Sequence, residues 1–183
     1  MTTDIPGVDI EVLRRWMDGR GLGDGTLDDV GLIAGGTQNV LLRFTRSGRT
    51  YVLRRPPVHK RANSDETMRR EARVLAAIAG TPVPHPGLIG AEPDPEVLGA
   101  AFYLMEPVDG FNATLGLPDG AYRTDPAWQH SMGLSMADAI AALASVDHVA
   151  VGLGDLGKWD GWAERQVSRW RKQLDGYSEL SGY

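Results

Sequence analysis

Gly35-Gly36-Thr37-Gln38-Asn39-Val40-Leu41-Leu42-Arg43-Phe44, a Ser47-Gly48 pair, and then Tyr51-Val52-Leu53-Arg54-Arg55-Pro56-Pro57 form the stretch on which the fold turns. Val40, Leu42 and Phe44 alternate with Leu41 and Arg43, the period of a half-buried strand, and Ser47-Gly48 supplies a turn before the next apolar run. These two runs predict a hairpin. Pro56-Pro57 ends it, because proline has no N–H to give a sheet ladder. Upstream, Val30, Leu32 and Ile33 predict a third strand running into Gly35-Gly36. Before that, Ile10, Leu13, Trp16 and Met17 recur at helical spacing until Gly19, Gly21 and Gly23 interrupt them. Glycines between two strands permit close backbone approach, and backbone N–H groups there can point at phosphate oxygens. The same five residues also suit a plain hairpin turn in which Asn39 takes the left-handed conformation.

Downstream of Pro57 a polar, basic segment runs to Asn63, after which Ser64 or Asp65 can cap a helix. Met68, Ala72, Leu75 and Ile78 or Ala79 then mark one buried stripe. Glu71 falls on that stripe, where a carboxylate needs a partner, and Arg54 or Arg55 is the natural counter-ion. Strands are expected at Leu88 to Ala91 and Ala101 to Met105. Five short strands with one inserted helix make an α+β lobe over residues 1–107. Phe102-Tyr103-Leu104-Met105-Glu106-Pro107-Val108-Asp109-Gly110 carries the last strand into a connector, and the texture then turns helical over 108–183. That part holds an Ala-rich helix from about Pro126 to Val146, a Gly-rich loop at Gly152 to Gly157, and an amphipathic helix bearing Trp162, Val167, Trp170 and Leu174.

Composition narrows the function classes. With 42% hydrophobic and 23% charged residues the chain is an ordinary globular one, and its net charge of −5 argues against a non-specific nucleic-acid binder, which needs a basic surface. No cysteine is present, which removes disulfide frameworks, thiolate nucleophiles and thiolate metal sites. Neither a leader-like N-terminus nor a run long enough to span a membrane is found, so a cytoplasmic protein without membrane or nucleic-acid partners is expected. The four histidines are His59, His85, His130 and His148.

Glycine loop, strand cation, helix glutamate and strand-to-connector hinge, in that order, match the parts of the ATP-binding lobe of a protein-kinase-like fold. The runs Gly35-Gly-Thr-Gln-Asn39, Tyr51-Val-Leu-Arg-Arg-Pro-Pro57, Arg70-Glu-Ala-Arg-Val-Leu-Ala-Ala77, Thr81-Pro-Val-Pro84, Phe102-Tyr-Leu-Met-Glu106 and Val108-Asp-Gly110 resemble the aminoglycoside phosphotransferase family. Within it they are most similar to the branch resembling the kinase-like domain attached to some acyl-CoA dehydrogenases. The resemblance implies a kinase-like N-lobe followed by the first helices of an α-helical C-lobe. It implies an enzyme that uses ATP and Mg²⁺ to move the γ-phosphoryl group to the hydroxyl of a small molecule: an aminoglycoside, another alcohol or a hydroxyacyl thioester. Carried over residue by residue, Gly35, Gly36, Thr37 and Asn39 belong to the loop over the phosphates. Arg54 is the strand cation, where many relatives carry lysine, and Glu71 orients it. Glu106 and Val108 present backbone groups to the adenine edge beside Met105.

The same resemblance implies a His-x-Asp-x-x-x-x-Asn loop whose Asp receives the acceptor's proton and whose Asn holds magnesium. No histidine here is followed two residues on by aspartate, so no catalytic or metal residue is assigned. Leu153-Gly154-Asp155 with Asp160 and Asp175 has the spacing of base and metal ligand, yet leucine stands in the histidine position and a charged helical period follows. A Gly-rich loop between helices fits it better. The sequence thus reads as the nucleotide-binding half of such an enzyme, ending before the catalytic loop. The alternative is a non-catalytic module that binds nucleotide or a partner and self-associates through an uncovered helical face. The basic residues Arg54, Arg55, Lys60, Arg61, Arg69, Arg70 and Arg73 either draw in polyphosphate or form a solvated face. Trp159, Trp162 and Trp170 either line an acceptor pocket or serve packing.

Overall fold

The computed structural model describes residues 5–33, 39–113, 116–158 and 160–177. In chain order these residues form α1 (Ile10–Asp18), β1 (Asp28–Leu32), β2 (Val40–Arg46), β3 (Arg49–Arg55), α2 (Ser64–Ala77), β4 (Leu88–Glu92), β5 (Phe102–Met105), α3 (Ala121–Thr124), α4 (Pro126–Ala144) and α5 (Trp162–Tyr177). The chain divides into two compact units, one reaching to Asp147 and one beginning at His148.

The five strands make one antiparallel sheet in the order β1-β2-β3-β5-β4. β2 and β3 are the expected hairpin, with Leu42 opposite Leu53 and Phe44 opposite Tyr51. Its turn needs positive φ at Ser47 and Gly48, a conformation glycine takes without a Cβ penalty. Strand alternation then sorts the side chains to two faces. Leu42, Phe44, Tyr51, Leu53, Phe102 and Leu104 point to one, where Leu13 and Met17 of α1 and the preceding Ile5 and Val8 close the main core. α1 is held there by its own sequence: Asp9 caps it by accepting from the N–H groups of Glu11 and Val12.

Arg46 and Arg55 end their strands on that same face, and both are buried. Arg46 pairs with Asp18 and donates to the carbonyls of Arg14 and Gly25, tying the end of α1 to the sheet. Asp18 is held below its ordinary carboxylate range by the hydrogen bond and charge of Arg46. Arg55 lies beneath Gly7, and burial lowers its pKa.

Ala101, Tyr103 and Met105 point to the opposite face, where α2 packs with Met68, Ala72 and Leu75. The predicted stripe of α2 is therefore its packing face. Its start differs from expectation: Asn63 is the N-cap and makes no side-chain capping bond, while the Ser64 hydroxyl accepts from Arg61 N–H. Asp65 points instead to Lys60 and to the Ala101 N–H, pinning the start of α2 to the β5 side of the sheet. α3 escaped the periodicity because four residues are too few to show one. α4 begins where Asp125 accepts from Ala127 N–H and Pro126 takes the first turn, and it buries none of its residues.

Candidate nucleotide site

Register alone brings the site together. Arg54 of β3 lies directly opposite Tyr103 of β5, so both side chains rise from the same face of adjacent strands, the face that α2 crosses. Glu71, on the inner stripe of α2, meets them there. Arg54 Nε donates to Glu71 Oε2 at 2.9 Å and a terminal guanidinium nitrogen donates to Oε1 at 3.2 Å, a bidentate fork. Tyr103 adds a third bond, its hydroxyl donating to Glu71 Oε2 at 3.0 Å. Burial pushes the Tyr103 phenol well above its ordinary range, and the Glu71 carboxylate reinforces this against the opposing charge of Arg54. Tyr103 therefore stays protonated and donating at any ordinary pH. The pair is only partly buried, with side-chain exposures of 28% for Arg54 and 32% for Glu71. One edge of it still faces open space.

That space is a polar cavity of about 430 Å³ lined by Asn39, Arg54, His59, Arg61, Thr67 and Glu71 among others. A second cavity of about 520 Å³ is walled by Leu75, Pro86, Tyr103 and Met105, and Arg54 and Glu71 line it as well. The ion pair thus contributes to the lining of both a polar and a more apolar recess.

Of the residues singled out from sequence, Asn39, Arg54 and Glu71 share the first cavity, and Arg54, Glu71 and Met105 share the second. Arg55, the other candidate partner of Glu71, faces the opposite core, as strand alternation requires for the residue after Arg54. Gly35, Gly36 and Thr37 lie outside the described residues. Glu106 and Val108 line neither cavity: Glu106 N–H donates to Gly87 O at 2.8 Å, its carboxylate pairs with Arg49, and Val108 is exposed at the start of the connector. Tyr103 escaped the sequence reading. Its signal was the alternation that sets it on the Met105 side of β5, but its place beside Arg54 depends on β3 pairing with β5, which no local pattern records. Trp162 and Trp170 are exposed on α5, and Trp159 lies outside the described residues. Among the described residues no group of three or more His, Asp or Glu side chains gathers to hold a metal, and no helix is long and apolar enough to cross a membrane.

A sheet of this order, with a helix-borne glutamate forked onto a strand cation, defines a kinase-like α+β lobe. Residues 29–180 match the phosphotransferase enzyme family, and the chain belongs to that family. A solved candidate aminoglycoside phosphotransferase from Ralstonia eutropha JMP134 superposes with a TM-score of 0.69 and 34% identity, over 95% of this chain and 49% of that one. The Arabidopsis thaliana protein called probable acyl-CoA dehydrogenase IBR3 is 37% identical over 125 residues, which is 67% of this chain and 15% of its own length. Acyl-CoA dehydrogenase family member 11 of Gallus gallus is 33% identical over 143 residues, 76% of this chain and 18% of its own. The chain therefore spans less than a fifth of these curated relatives and about half of the solved structure.

Proposed function

We propose that this chain is the nucleotide-binding half of an ATP-dependent phosphotransferase that moves the γ-phosphoryl group to the hydroxyl of a small molecule in the cytoplasm. The observation that carries this reading is the Arg54–Glu71 fork, steadied by Tyr103, at the wall of a polar cavity. Phosphoryl transfer asks a protein mainly for positioning and charge neutralisation. Arg54 suits the positioning, since a planar guanidinium whose fork is fixed by Glu71 cannot swing away from a phosphate as a lone lysine could. Asn39, at the end of the glycine-rich run, would approach the phosphates from the opposite wall. Gly35, Gly36 and Thr37 would complete that loop. Met105 would sit against the purine while Glu106 O and Val108 N–H meet its edge, a role consistent with the Glu106 N–H being already taken by Gly87.

In this reading residues 1–107 form the nucleotide lobe, and 108–183 are the hinge and the first helices of the next. Mg²⁺ would arrive with the phosphates, where it neutralises charge. No His-x-Asp-x-x-x-x-Asn run occurs in this sequence, so the role proposed for this chain is the grip on ATP. Isothermal titration with ATP, paired with a phosphate-release and transfer assay, tests the reading. ATP should bind, and Glu71→Gln should weaken it by roughly tenfold, about 1.4 kcal/mol, because Arg54 loses the fork that holds its guanidinium toward the phosphates. An ATP affinity that is undetectable, or unchanged in Glu71→Gln, overturns it. ATP binding with no transfer to any hydroxyl favours the alternative of a non-catalytic binding module, which rests on the lack of a His-x-Asp-x-x-x-x-Asn run in this sequence.

A further inference from the structure

We infer that Arg61, assisted by His59, is a second phosphate contact, and that it rather than Arg54 supplies the uncompensated positive charge of the polar cavity. The inference rests on the nucleotide-binding reading and adds to it residues from the connector between β3 and α2. The charges around the cavity decide the matter. Its lining holds two guanidiniums, Arg54 and Arg61, and one carboxylate, Glu71. Glu71 is forked onto Arg54, so that pair presents almost no net charge to a polyanion. Arg61 lines the same space, and its guanidinium makes no hydrogen bond or ion pair among the described residues.

The other acids near this end of α2 are turned elsewhere. Asp65 is bound to Lys60 and to the Ala101 N–H, and Glu66 pairs with Arg69. Neither lines the cavity, and so neither cancels Arg61. The connector itself is held in place: Pro57 shares the lining, and Arg61 N–H donates to Ser64 Oγ at 3.0 Å, which fixes the backbone from which the arginine projects. Thr67 and Asn63 add neutral polar groups to the same wall, and His59 adds a ring nitrogen. A cavity of about 430 Å³ lined by one free guanidinium, one imidazole, several neutral polar groups and a forked arginine suits a chain of phosphates better than it suits a neutral ring. Arg61 would hold the outer phosphates while Arg54 holds the inner ones.

The test uses the chain as it stands, Arg61→Gln and Arg61→Lys, titrated with sodium tripolyphosphate, ATP and adenosine by calorimetry and by thermal shift. Arg61 is exposed and lies in a connector, so the unliganded melting temperature of both variants should match the parent. Tripolyphosphate should bind the parent chain and compete with ATP. Arg61→Gln should weaken both by about tenfold or more and leave adenosine unchanged, and Arg61→Lys should fall between, since it keeps the charge and loses the fork. Equal affinity of Arg61→Gln and parent for tripolyphosphate and ATP overturns this inference while leaving nucleotide binding intact. Tripolyphosphate and ATP bound together also overturn it, because the two must share one cavity. Tripolyphosphate held through Arg61 with no gain from an attached adenosine sinks the nucleotide reading and, with it, the inference that rests on it. A parent chain that binds neither polyanion sinks both.

Discussion

The sheet and α4 are both rich in apolar residues, yet they use them in opposite ways. Phe44, Leu42, Leu53 and Leu104 are completely buried between the sheet and α1, whereas α4 buries nothing and leaves Met136 and Ile140 about two-thirds exposed, at 67% and 66%. A strand exists only through its neighbours, so its apolar alternation is already a statement about tertiary packing. A helix with an Asp125 cap, Pro126 in its first turn and a run of alanines is written locally and needs no partner to be recognisable. Apolar side chains spread round a helix are nonetheless the mark of one made for burial. Stability in the described residues should therefore reside in the sheet region, and α4 should contribute little.

Leu53→Ala breaks that comparison most severely if it is wrong. The side chain is completely buried at the centre of the sheet, between Leu42 and Leu104, and its truncation should cost about 3–5 kcal/mol in urea unfolding. Ile140→Ala, equally apolar and on α4, should change stability by less than about 0.5 kcal/mol. Comparable losses at the two positions would show that α4 is packed in solution. Gly7→Ala sharpens the boundary of the packed region from the other side. Gly7 holds φ of 78°, where an L side chain is strained, and an added methyl would run into the buried Arg55 guanidinium. A loss of about 2 kcal/mol in the same unfolding experiment is expected. No loss would mean that the segment from Ile5 to Val8 does not close the core.

The same contrast explains what could be read from sequence. The hairpin, the α2 stripe and the Pro126 helix are written in nearest-neighbour patterns, and the structure has all three. That Glu71 would pair with Arg54 or Arg55 was also legible, because a carboxylate on an apolar stripe must find a cation and these two arginines close the strand that follows the glycine run. The choice between Arg54 and Arg55 was not, since it depends on which face of β3 meets α2. Tyr103 stayed hidden for a related reason: its neighbour across the sheet is set by β5 inserting between β3 and β4, a long-range pairing that leaves no trace in either strand. The start of α2 was misjudged because Ser64 and Asp65 are both good capping residues. Each has a better partner, the Arg61 N–H in one case and Lys60 with the Ala101 N–H in the other.

Asp65 also supplies the smallest and most selective test of the sheet region. Burial alone would raise its pKa, but the Lys60 ammonium at 2.6 Å and the Ala101 N–H at 3.0 Å outweigh it, and the carboxyl is held below its ordinary value. A carboxyl whose folded-state pKa is depressed contributes stability that is present above the unfolded pKa, near 4, and is lost as pH falls through the lower folded value. Asp65→Asn keeps an oxygen for the Ala101 N–H and removes only the charge facing Lys60. It should cost about 1 kcal/mol at pH 7 and flatten the fall in stability below pH 4, with the mutant and parent curves converging at the acid end. Urea midpoints from pH 7 to pH 3 measure both effects. A parallel offset across the whole range would mean that Lys60 holds Asp65 by geometry rather than by charge, and Asp65's own link to the sheet would then rest on the Ala101 hydrogen bond.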